Sequence, residues 1–97
     1  HYRRALALAR ETGDRHTQAW AHNGLGESLP DAVEHHTAAL AVATEIGDRN
    51  QQARAHAGLG RAHAGTDLGR QHYQQALDLY TELGMPESEA IRTQLDG

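Results

Sequence analysis

Residues Gly47–Leu59 read GDRNQQARAHAGL, and Gly13–Leu25, 34 positions earlier, read GDRHTQAWAHNGL. Carried one residue further, to Gly26 and Gly60, the two stretches share ten identities in fourteen positions. Self-similarity at a fixed period marks a repeat architecture, in which each unit buries its apolar side by stacking on its neighbours. The segments outside this phrase repeat too. His1, His35 and His72 fall in register, as do Ala5/Ala39/Ala76, Leu6/Leu40/Leu77, Glu11/Glu45/Glu82 and Gly13/Gly47/Gly84. The unit is therefore a pair of segments, A then B, and the chain runs B–AB–AB and then a last segment.

Each segment has helical spacing. In the first, Tyr2, Ala5, Leu6 and Ala9 recur at helical intervals up to Gly13. Gly13 suits the left-handed residue that closes a helix, and Asp14 suits the cap of the next. Gly-Asp is thus a helix stop followed at once by a helix start, used again at Gly47-Asp48. The pattern predicts helices ending near Thr12 and over Arg15–Leu29, Asp31–Ile46, Arg49–Ala64, Leu68–Leu83 and Ser88–Leu95, with Pro30 at or just before the start of the third. Gly65-Thr66-Asp67 predicts a turn with a cap. Gly24 and Gly26 each cost a helix about 1 kcal/mol against Ala, so they are expected where a neighbour comes close. The last segment, with Ala90, Ile91 and Leu95 on one side, reads as a capping helix.

Composition narrows the function classes. With 97 residues the chain makes one small domain, 1–97. It begins inside a helical pattern without an initiator Met, so it is expected to be a fragment or the C-terminal part of a longer protein. Apolar residues make up 38% but aromatics only 4%, with no Phe. Alanine-rich cores suit close helix packing and suit sheets poorly. The net charge is −4, and all nine cations are Arg. No basic stripe offers a footprint for nucleic acid. The chain has no Cys, which excludes disulfide and thiolate chemistry. No apolar run is long enough to cross a membrane.

These helix pairs resemble the tetratricopeptide repeat, whose A helix carries Trp-x2-Leu-Gly-x2-Tyr and whose B helix carries Ala-x3-Phe, with a closing Pro. Here the A helices give His22-x2-Leu25-Gly26-x2-Leu29 and His56-x2-Leu59-Gly60-x2-His63. The B helices give Ala32-x3-His36-x2-Ala39 and Gly69-x3-Tyr73-x2-Ala76. Gly-Asp-Arg replaces the closing Pro in two places. That variant resembles the C-terminal repeat arrays of actinobacterial SARP- and NB-ARC-type transcriptional regulators. Gly26 to Ala32 is six residues and Gly60 to Gly69 nine, both shorter than the family's spacing.

The resemblance implies an all-α, tetratricopeptide-like solenoid of antiparallel helix pairs, about two and a half repeats and a cap. It also implies a cytoplasmic, non-enzymatic protein-interaction role. The A helices of the family line a concave groove, and by position this chain presents Trp20, Asn23 and Glu27 from one unit and Arg54, Ala57 and Arg61 from the next. The occupant would be a peptide or helix of a partner, or of another domain of the same regulator. The alternative is a structural spacer that forms a homo-oligomer through its open helical end. For Trp20 two positions stay open, the groove or packing on Leu6 and Ala9.

Other residues that could carry chemistry read as structural. There are eight His. His35 and His36 are neighbours on a helix and point about 100° apart, so they do not chelate together. His56 and His63 stand two turns apart, too far for one ion without a third ligand. His22, His36 and His56 take aromatic positions of the repeat, so packing is expected, with no metal and no cofactor. Glu11, Glu45 and Glu82 oppose the helix dipole at B-helix ends, with Glu45–Arg49 and Arg10–Asp14 as candidate pairs. Neither they nor Glu87/Glu89 make a catalytic pair.

Overall fold

The computed structural model describes residues 1–28 and 32–96. Their helices are α1 (Tyr2–Thr12), α2 (Arg15–Ser28), α3 (Ala32–Ile46), α4 (Arg49–Ala62), α5 (Asp67–Leu83) and α6 (Glu87–Asp96). No strand occurs among the described residues. The expected roles of Leu29, Pro30 and Asp31 lie outside them.

The repeated phrase explains itself residue by residue. Gly13, Gly47 and Gly84 close α1, α3 and α5 at φ of 74°, 72° and 68°, a region open to glycine and strained for other residues. After each, the next amide bonds back five residues: Asp14 N–H to the Ala9 carbonyl, Asp48 N–H to Ala43 and Met85 N–H to Tyr80, each at 2.9 Å. Those bonds satisfy carbonyls a helix end leaves open. Asp14 then accepts from Thr17 N–H and Asp48 from Gln51 N–H, both at 3.1 Å. The hydroxyl and amide of Thr17 hold the Asp14 carboxyl below its ordinary pKa.

Arg15 of α2 pairs with Glu45 at the end of α3, and Arg49 of α4 with Glu82 at the end of α5. Glu45 and Glu82 are thus each compensated by the A helix of their own unit. This corrects the local expectation: Arg49 pairs with Glu82, not Glu45, and Asp14 caps α2. Gln18 donates to the Ala9 carbonyl at 3.3 Å and Gln52 to the Ala43 carbonyl at 3.2 Å, tying each A helix to the B helix before it.

The glycines mark where rings sit. A Cβ on Gly24 would stand 2.2 Å from the Tyr2 ring, and one on Gly60 would stand 2.7 Å from Tyr73. The His36 ring bridges two A helices, 2.7 Å from a Cβ on Gly26 and 2.2 Å from one on Gly58. One ring per B helix therefore keys into glycine notches of the A helices beside it. Ala19, Ala21, Ala39, Ala43, Ala53, Ala55 and Ala76 are fully buried between the helices. The larger apolar groups form two clusters. Leu6, Ala21 and Leu25 meet Tyr2, Ala5 and Trp20, while Tyr73, Tyr80 and Ile91 pack with Ala53, Ala57 and Ala76.

Each helix packs on the next in sequence, and α2 also touches α4. That contact between the two A helices makes the face described below. Three boundaries differ from expectation. α4 stops at Ala62, with Gly65 at φ 83° in the turn that follows. α5 starts at Asp67 because the Thr66 hydroxyl accepts from Gly69 N–H at 3.1 Å. α6 spans Glu87–Asp96, slightly longer than its apolar stripe. The short A–B turn after α4 is tolerated because Gly69 has no side chain. A Cβ there would lie 2.3 Å from the His63 carbonyl oxygen.

Candidate functional site

Four of the six residues expected to line a groove come together along α2 and α4. Glu27 of α2 and Arg54 of α4 form a two-point ion pair, Nε to Oε2 at 2.8 Å and Nη2 to Oε1 at 2.5 Å. Their side chains keep 35% and 20% exposure, so the pair is planar, fixed and accessible. Its hydrogen bonds hold Glu27 below the ordinary carboxylate pKa, with the charges of Arg54 and Arg61 acting the same way. They also raise the pKa of Arg54, with Tyr2 adding to the effect. Arg61 is exposed in the last turn of α4.

Trp20 is half-buried. Its ring lies 4.8 Å from the Tyr2 ring at 56° and 5.8 Å from the His1 ring at 84°. It packs in the cluster around Leu6 while retaining exposed surface. Tyr2, which acts on Arg54, links Trp20 to the ion pair. The face thus runs Trp20, Tyr2, Arg54, Glu27, Arg61. Its formal charge is one positive unit, since Glu27 cancels one of the two arginines.

Asn23 is not on this face. Its side chain is 0% exposed and forms the centre of a network across three helices. Its Oδ1 accepts from His36 Nδ1–H of α3 at 2.8 Å. Its Nδ2 donates to the Gln51 carbonyl at 3.0 Å and to Gln51 Oε1 at 2.9 Å on α4. A buried amide without such partners would cost stability, and this network supplies them. Ala57, its register equivalent, is buried too. The sequence carried a signal for the network. Asn23 and His36 depart together from the pairing Ala57 and Tyr73 in the next unit.

The histidines are organised in a way that single register positions did not reveal. His22 Nδ1 lies 3.2 Å from His35 Nδ1, and His56 Nδ1 lies 3.0 Å from His72 Nδ1. Burial, then a neighbouring imidazole, lowers the pKa of His22, His56 and His72, the second group being His35, His72 and His63 respectively. His36 is 1% exposed, and burial, with Arg61 next, lowers its pKa to about 4. Both members of each pair had been in register in the sequence, and reading the two registers jointly would have found them.

Among the described residues no three or more His, Asp or Glu side chains converge as a ready ion site. Nor is any described helix long and apolar enough to cross a membrane. Comparison with family models, with curated proteins and with solved structures finds no match in any of the three.

Proposed function

We propose that this chain is a non-enzymatic protein-interaction module of the tetratricopeptide-repeat kind, a solenoid of antiparallel helix pairs. Its α2–α4 face would take a peptide or helix of a partner protein, or of another domain of the same cytoplasmic bacterial transcriptional regulator. DNA binding would then belong to a different part of that regulator. One observation carries this reading. Trp20, Glu27, Arg54 and Arg61, from equivalent helices of successive units, form one continuous face. An aromatic ring beside fixed guanidinium groups is the chemistry of interface anchors, giving large buried area with planar donor forks. The repeat of Leu25-Gly26 and Leu59-Gly60, with one B-helix ring keyed into the notches, supports the family reading.

The test is capture of a partner by the chain and by two variants. Arg61→Glu changes an exposed charge. The exchange Glu27→Arg/Arg54→Glu keeps an internal ion pair but reverses its polarity toward a ligand. Each variant is first shown to be helical and to melt as the wild type does. A protein retained by wild type and lost by both variants places recognition on this face. Equal retention by all three chains rejects it.

A further inference from the structure

His22 and His56 share one register position on the A helices, and His35 and His72 share one on the B helices that follow. Ring centroids within each pair stand 5.4 and 5.2 Å apart, with interplanar angles of 36° and 34°. The same arrangement is therefore built twice, from four separate helices. We propose that each pair is a two-imidazole clamp for a divalent transition-metal ion of the zinc–copper class, bound through both Nδ1 atoms with water completing the coordination.

The distances suit this. Two nitrogens each ~2.05 Å from a tetrahedral ion stand ~3.3 Å apart. The pairs, at 3.2 and 3.0 Å, open by a few tenths of an ångström, and the two rings tilt so that both Nδ1 atoms converge on the ion. Without metal, one ring's Nδ1–H donates to the other ring's Nδ1. On binding, that proton moves to Nε2 of the same ring. Both Nδ1 lone pairs then face the ion and no proton is released. The lowered pKa values of His22, His56 and His72 keep them in the neutral, ligating form near pH 7. His35, His56 and His72 retain exposed surface, which admits the ion and its waters.

The two clamps are not equal. Arg10 acts on His22, and its positive charge opposes a dication. Among the described residues, no arginine acts on His56 or His72 in the second clamp. The His56/His72 pair is therefore the tighter site. Copper should bind both more tightly than zinc, as imidazole sites generally do.

Zinc chloride is titrated into the whole chain at pH 7.5 and followed by calorimetry. The expected result is that two zinc ions are lost between the wild type and a variant carrying His→Gln at 22, 35, 56 and 72. His56→Gln/His72→Gln removes the tighter ion and His22→Gln/His35→Gln the weaker. His16→Gln, a change at an exposed histidine outside the pairs, alters nothing. In the wild type, nitrogen-15 NMR should show zinc shifting the Nδ1 signals of the four paired rings and leaving His36 in place. This arm stands even if the fourfold variant does not fold. Zinc binding unchanged by the substitutions, no saturable binding, or unmoved Nδ1 signals overturns the proposal.

Discussion

Acid should destabilise this protein through His36, by an amount that its surroundings fix. The imidazole commits its Nδ1–H to Asn23 Oδ1, and its Nε2 edge lies in the notch between Gly26 and Gly58. A second proton would have to enter that notch. The charged groups acting on it are Arg61, Arg54 and His35, which oppose protonation, and Glu27, which favours it. The pKa falls to about 4 in the folded state, against ~6.5 in an unfolded chain. The folded pKa is the lower one, so the unfolded chain binds the proton first as pH falls. Above about pH 7 the folded state carries no penalty from this group. Between 6.5 and 4 the penalty grows, and below that it saturates near 3 kcal/mol. From pH 7.5 to 5 the loss works out at about 2 kcal/mol, with nearly one proton taken up on unfolding. Urea unfolding, followed by circular dichroism at both pH values, measures it. His36→Tyr installs the residue found at the register positions of Tyr2 and Tyr73 and removes the titration. The wild type should lose about 2 kcal/mol more than this variant over that interval, since other groups cancel in the difference. Equal losses in the two proteins would refute the placement of His36.

Four further outcomes follow from the packing. Gly58→Ala should destabilise by roughly 1–3 kcal/mol through overpacking on His36, although Ala is the better helix former; a stabilised variant in urea unfolding would contradict the notch. Asn23→Ala should cost roughly 1–3 kcal/mol by stripping partners from His36 and Gln51. Adding His36→Tyr to it restores the Ala–Tyr pairing of the next unit, so the double variant should lose less than the sum of the singles. A double-mutant cycle on Glu27 and Arg54 should give a coupling of at most about 1 kcal/mol, shrinking in high salt, because both side chains remain partly hydrated. Asp48→Ala should cost about 1 kcal/mol in thermal or urea unfolding by removing the α4 cap.

The sequence by itself determined the helices and their order. Helix ends here are local chemistry. A left-handed glycine, a back-bonding amide and a capping carboxylate lie within six residues of one another at Gly13-Asp14 and Gly47-Asp48. The sequence also announced that Gly24 and Gly26 face close neighbours, since interior helix glycines need such a reason. The resemblance, carried over by position, put Trp20, Asn23, Glu27, Arg54, Ala57 and Arg61 on one face, and Asn23 and Ala57 are buried instead. What only the tertiary structure decided was which side chains meet between helices. Asn23 turned inward to His36 and Gln51 and left the face it was expected to line. Arg49 reached Glu82 across α4 and α5 while Glu45 was taken by Arg15. His22 and His56, expected to be packing residues, met His35 and His72 in two pairs. Periodicity fixes the direction of a side chain around its own helix axis. It does not fix the rotation and spacing between two axes, and a hydrogen bond at 3 Å depends on both.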